Sequence, residues 1–444
     1  MFKRIAQALW GKFESKEEVQ KFAMLALMFG LIIGTYWAMR PIKDSIFLTV
    51  VGRNYLWMAK IVSLFVITPL ILVYSKLVDT FPREKVFYGL IVVYTALALF
   101  FWWAFSQPVM GLTNTVEDPT RYIGWAWYVF VESFGSLIVA LFWAITTDIT
   151  LPDSAKRGFP LIALFGQIGN ILGPLVLNAR RLGFANSAPI LGILAGLMAL
   201  TLILMWLFFN ITPKDQLASF KSEKKHAPDA EPGFFEGLKL LLTESYLLGI
   251  FLIISLYEVI VTVIDYHFKQ TVSNAFGSER EISAFLSDYA FMVGVVATLS
   301  VLLGINNIQR KLGMTASLVL LPILVAVAVL LITWYPSALY LSAAIMVFSK
   351  AINYALNQPT LKQLYIPTSS DTKYKAQAWI EMFGSRGSKA TASMVNGTRG
   401  VLGLTMFLTM VSIGSMGLIA GWILVAIYVA KTYNSAIDKN EIVC

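Results

Sequence analysis

Lysine, arginine, aspartate and glutamate make up only 14% of the 444 residues, so each one inside a long apolar run stands out as a candidate for chemistry. In the first half these are Arg40, Lys43 and Asp44 in YWAMRPIKDSIF, then Lys60, Glu132 in YVFVESFGSL, and Asp148 at the end of a run. In the second they are Glu258 and Asp265 in LYEVIVTVIDYHF, Lys350 in VFSKAINYAL, and Glu381, Arg386 and Lys389 in WIEMFGSRGSKAT. A charge at the centre of a bilayer costs about 2.5 to 3.5 kcal/mol on insertion scales, so it tends to face a cavity and to be paired or used. Lys43, Lys350, Arg386 and Lys389 outnumber the deep carboxylates Glu132 and Glu258. That balance suits an anion with several negative oxygens, as a polyphosphate has. The carboxylates would meet the cations in the empty state, or bind protons or substrate hydroxyls. The plain alternative for each charge is a structural ion pair or a side chain snorkelling from a helix end. It weighs most for Lys60, Asp148 and Glu381.

Helical spacing puts Arg40 and Asp44 at i, i+4 and Arg386 and Lys389 at i, i+3, each pair on one stripe. Pro41 is expected to break or kink its helix, freeing backbone groups that only protein or a wet cavity tolerates. A broken helix beside Arg40 and Lys43 would make an anion site. Tyr36, Trp37, Trp125, Tyr128, Tyr257 and Tyr354 lie near these charges and could stack a base, although most aromatics of such a chain pack in the core or line the interfaces. Tyr36, Tyr257 and Asn357 complete the candidate substrate-binding set. GSRGSKAT from Gly384 is not a nucleotide-hydrolase loop, which needs four residues between its glycines and a lysine directly after the second. Gly384 and Gly387 instead let a helix or substrate approach Lys389 closely.

The elements that must position these residues are membrane helices. Hydrophobic residues reach 57% and mean hydropathy is +0.69, values that point to a bilayer as solvent. Apolar runs of the roughly 20 residues needed to cross recur about twelve times. The expected order is a segment over 1–21, six helices over 22–212, a charged linker over 213–245, six helices over 246–432 and a tail over 433–444. Basic residues crowd alternate loops, which places both termini in the cytoplasm. The net charge of +9 then reports topology and attraction to anionic lipid rather than nucleic-acid binding. One cysteine, Cys444, and two histidines, His226 and His267, offer neither a disulfide framework nor a zinc site. No cleavable signal pattern precedes the first run. No cofactor, metal or catalytic residue is expected; an enzyme would need a positioned base, nucleophile or metal.

The halves resemble each other. LFGQIGN from Leu164 reads against MFGSRGS from Met382, both containing F-G-x-x-G, after loops with proline followed by polar and basic residues. The spacing that carries Phe165 onto Phe383 also carries Glu132 onto Lys350. Internal repeats of this kind put the site of a transporter where its halves meet. The expected fold class is therefore an all-α membrane protein with two six-helix bundles, major-facilitator-like. A lipid scramblase is the competing class, and it would turn Glu132, Glu258 and Lys350 outward.

RPIKDSIF from Arg40, VESFGSL from Val131, and NYALNQPTLKQLYIP with DTKYKAQAW downstream resemble the nucleotide transporter family of intracellular bacteria and plastids. The resemblance runs from about Phe22 to the last helix, nearly the whole chain. It implies import of ATP in exchange for ADP by alternating access, with phosphate as a further possible substrate and the monomer as the working unit. It also implies the inner membrane of an intracellular bacterium. The family's important charges fall on Lys43, Glu132, Glu258 and Lys389. One departure stands out: the family's K-E-M before YIP is here Lys362, Gln363, Leu364. Because the family includes proton-coupled importers and carriers of other nucleotides, those readings stay open.

Overall fold

The computed structural model describes residues 13–213, 216–217, 234–305, 307–369, 379–380 and 382–443. His226, Glu381, Cys444 and the Lys373/Lys375 pair lie outside them. The first helix, α1, spans Lys16–Phe47; Ser15 caps it by accepting the Glu18 amide at 3.0 Å, and Glu17 and Glu18 sit at its positive end. There follow α2 (Leu56–Thr80), α3 (Arg83–Ser106), α4 (Tyr122–Asp148), α5 (Pro152–Val176), α6 (Ala188–Ile211), α7 (Phe234–Thr243) and α8 (Ser245–Ala275). The remainder are α9 (Glu279–Leu302), α10 (Asn307–Trp334), α11 (Leu339–Ile352), α12 (Gln358–Gln363), α13 (Ser388–Gly397) and α14 (Arg399–Lys439). No strand occurs among the described residues.

Among the described residues ten stretches are long and apolar enough to cross a membrane; the first, Lys16–Thr80, holds both α1 and α2. With α1 and α2 counted separately, the described residues come close to the about twelve helices that the apolar runs imply. Part of the stretch read as a linker is helical, since α7 lies within it.

Pro41 does not break α1. The helix runs on through Lys43 and Asp44 to Phe47, so the expected broken-helix anion site is absent there. The interruption comes later, as a π turn over Leu48–Gly52 that ends on Gly52 at φ +109°. An uninterrupted helix tolerates proline when its neighbours absorb the lost bond. Further π turns cover Asn353–Asn357 and Met382–Gly387. The last removes Arg386 and Lys389 from a shared α stripe, because i→i+5 bonding changes the angle between successive side chains.

The chain forms two compact units, each discontinuous in sequence. The first comprises Met1–Arg53, Phe65–Lys225 and Phe276–Gly294; the second comprises Asn54–Leu64, His226–Ala275 and Val295–Cys444. In the first unit α1 and α5 approach closely because both present glycines: a Cβ on Gly169 would lie 2.2 Å from the Gly30 carbonyl oxygen, and one on Gly173 2.2 Å from that of Gly34. Small residues at such spacing let two backbones touch in lipid, where apolar burial alone does not favour contact. Half of the F-G-x-x-G repeat is thus a packing device. The start of α9 is fastened into this unit by Glu279, which accepts from Ser45 Oγ (2.7 Å), Ser187 Oγ (2.7 Å) and the Ser187 amide (2.9 Å). In the second unit the start of α2 is held by Trp57, which packs against Gly397, and by Lys60.

Candidate functional site

In the first unit, α1 and α4 bring together the residues that the sequence set apart. Lys43 is 4% exposed and its Nζ donates to Glu132 Oε1. It also lies 3.7 Å from Asp44 Oδ1 and 4.2 Å from the centroid of the Tyr128 ring. Tyr128 and Glu132 share a face of α4 by their i, i+4 spacing, so one helix gives Lys43 both a carboxylate and a π face. Phe47 packs edge-on against Tyr128 and Trp125 and fixes that ring. Tyr36 lies on Gly135, where a Cβ would fall 2.2 Å from the ring; the glycine of VESFG therefore makes room for it. Arg40 stacks over Trp37 at 4.5 Å and lies 5.8 Å from Tyr36. Asp44, on the same stripe as Arg40, also lies within ion-pair distance of Lys43.

The second unit holds two further groups. Lys389 Nζ lies 3.3 Å from Glu258 Oε1, which also accepts from Ser385 Oγ at 3.0 Å. The π turn that carries Ser385 and Arg386 docks on α8 through Gly384, which meets Phe251, Ile254 and Ser255, while Ser255 Oγ donates to the Gly384 carbonyl. Gly387 faces open space. Lys389 is half-exposed and Glu258 largely buried, so the ammonium remains reachable by a ligand. Seven residues on, Asp265 collects Lys60 (3.3 Å), Lys269 (2.9 Å) and Lys350 (3.0 Å). The sequence reading named three of these four and passed over Lys269; its signal was the i, i+4 spacing from Asp265.

Glu132 and Lys350, matched by the sequence repeat, thus each pair with the opening helix of their own half, in opposite polarity. Lysine lies on α1 and glutamate on α4 in one; aspartate lies on α8 and lysine on α11 in the other. A scramblase would turn these groups to lipid; instead all three are drawn into ion pairs. Tyr257 is buried against Trp422, whereas Tyr354 is exposed. Asn357 is buried in the second π turn; it donates to Asn353 at 2.8 Å while its own Oδ1 has no hydrogen-bond partner. Asp148 pairs at the surface with Arg83 at 2.5 Å. No cluster of three or more metal-ligating side chains occurs among the described residues.

The arrangement is one of ammonium groups held by carboxylates inside membrane helices, a chemistry that suits the binding of anions. Solved structures share the fold. A nucleoside transporter NupG mutant matches over 92% of this chain and 99% of its own, with TM-score 0.64 and 14% identity. The POT family transporter PepTSo matches over 94% and 98%, with TM-score 0.66 and 10% identity. The fold is thus that of a multi-pass, all-helical membrane protein of the kind these structures show. The sequence narrows this further: the model of the TLC ATP/ADP transporter family matches residues 1–112 and 105–435, and the chain belongs to that family. Its relatives include "ADP,ATP carrier protein 1" of Rickettsia prowazekii, 25% identical over 86% of each chain. Another is "ADP,ATP carrier protein 2, chloroplastic" of Arabidopsis thaliana, 24% identical over 96% of this chain and 76% of its own.

Proposed function

We propose that this protein is a nucleotide transporter that imports ATP in exchange for ADP by alternating access, with both termini in the cytoplasm, and that it works as a monomer in the inner membrane of an intracellular bacterium. It catalyses no covalent step. The observation that carries this reading is Lys43, buried in a membrane helix and held by Glu132 and the face of Tyr128. A nucleotide's phosphates offer Lys43 more charge and more acceptor oxygens than one carboxylate does, so they can take the cation over and release Glu132; the Lys389–Glu258 pair of the second unit is open to the same exchange. Tyr36 and Arg40 with its aromatic neighbours suit the base and ribose. Substrate binding then exchanges one satisfied buried charge for another, and translocation leaves no bare ion in the membrane.

The released carboxylates also support a second reading, a proton-coupled nucleotide importer, in which protons neutralise them and let the empty carrier return. The departure at Gln363 favours keeping it. Its amide and that of Gln309 exchange hydrogen bonds at 2.6 and 3.3 Å, a reciprocal pairing that an ionised glutamate there could not complete. Inorganic phosphate is a further substrate of either version.

Uptake of labelled ATP into proteoliposomes preloaded with ADP, ATP or buffer separates these readings. Exchange predicts uptake only into preloaded vesicles, lowered about a hundredfold or more by Lys43→Ala, as befits loss of a charge-assisted contact in a water-poor site. Equal uptake into empty vesicles that rises as external pH falls would move the assignment to the coupled importer. No uptake by folded protein under any loading would remove nucleotide transport.

A further inference from the structure

Asp265 is surrounded by three ammonium groups. Lys269 lies one turn along the same helix, Lys60 comes from the start of α2 and Lys350 from α11, all within 3.3 Å of its two oxygens. All four side chains are at most 19% exposed, and among the described residues three ammonium groups converge on this single carboxylate. A static staple joining three helices needs only one ammonium per helix, yet α8 contributes Lys269 in addition to Asp265 itself. Three ammoniums gathered from separate elements match the three terminal oxygens of a phosphoryl dianion, with each lysine acting as a mobile point charge. Glu258 and Asp265 are seven residues apart on α8, so the Glu258–Lys389 pair and this cluster lie on one stripe about 10 Å apart along the helix.

We propose that Lys60, Lys269 and Lys350, positioned by Asp265, form a phosphoryl subsite that takes the terminal phosphate of the nucleotide. This rests on the nucleotide-transport reading above; the same chemistry would also accept free inorganic phosphate. Asp265 is a positioning residue: it keeps the three ammoniums together against their mutual repulsion until the phosphoryl group shares or displaces it.

The test is equilibrium binding of labelled ATP, ADP and AMP to the purified full-length carrier, with inorganic phosphate as competitor, for wild type, Lys269→Gln, Lys60→Gln and Lys269→Arg. Lys269→Gln and Lys60→Gln should each weaken ATP about tenfold or more while AMP, which lacks the distal phosphates, changes less than about twofold; Lys269→Arg should retain most of the affinity. If ATP and ADP are unchanged but competition by phosphate is lost, the subsite stands with free phosphate as its occupant. Uniform loss for every ligand together with a lower melting temperature, or no loss for any, would reduce the cluster to a structural staple. Should the wild type bind no nucleotide, the transport reading falls and the phosphate arm alone decides: lysine-dependent phosphate binding keeps the subsite, and its absence removes it.

Discussion

Lys43 and Glu132 are partners across α1 and α4, and the proposed exchange has the nucleotide's phosphates take Lys43 from Glu132. Glu132→Gln leaves the Lys43 ammonium with Asp44, 3.7 Å away, and should cost about 1–3 kcal/mol of stability in thermal unfolding. The exchanged pair Lys43→Glu with Glu132→Lys restores opposite charges across α1 and α4, so stability should recover by about 1 kcal/mol or more relative to either single change. Nucleotide exchange should not recover, because the cation would then project from α4 instead of from α1. A swapped carrier with normal exchange would mean that the pair is purely structural. Lys389, being half-exposed, should behave differently: Lys389→Gln should leave the melting temperature nearly unchanged and lower exchange by about tenfold or more.

At the scale of elements, glycine contacts and π turns aim the charges. Gly169→Val places side-chain atoms where α1 backbone already lies, the nearest only 2.2 Å from a Cβ. The α1–α5 pair must separate, and the folded yield in detergent should fall sharply. Gly387→Ala, with open space around its Cβ, should fold and transport as the wild type does, and a large loss would show that the substrate itself approaches that glycine. Each π turn sits close to a charged residue of a cluster: Leu48–Gly52 after Lys43 and Asp44, Asn353–Asn357 after Lys350, and Met382–Gly387 just before Lys389. Such single-turn bulges gather at functional sites because they re-aim the side chains that follow them.

For the whole molecule, charge distribution makes a topological prediction. The loop carrying Thr80 belongs to the basic set and that carrying Thr113 does not. Cys444 is the only thiol, so a Cys444→Ser background allows single reporters. An impermeant maleimide added to intact cells should label Thr113→Cys and spare Thr80→Cys until the membrane is opened. The reverse pattern would invert the assignment of both termini.

The all-helical membrane class, the about twelve passes and the family were legible in the sequence, since each follows from composition, run length or local motif. Lys43, Glu132, Glu258, Lys350 and Lys389 were legible for the same reason: a charge in an apolar run is conspicuous wherever its side chain turns. What each of them pairs with was not. Lys43 meets Glu132 across helices; Lys350 meets Asp265; Lys269 joins that cluster unannounced. Pro41 reads as a break and is not one, while the three π turns left no local signal. Partners across helices are chosen by how glycine-lined surfaces such as Gly30 and Gly169 set the spacing of backbones, and that is a property of two segments at once. A sequence displays each charge singly, and only the packed helices decide which oxygen its proton faces.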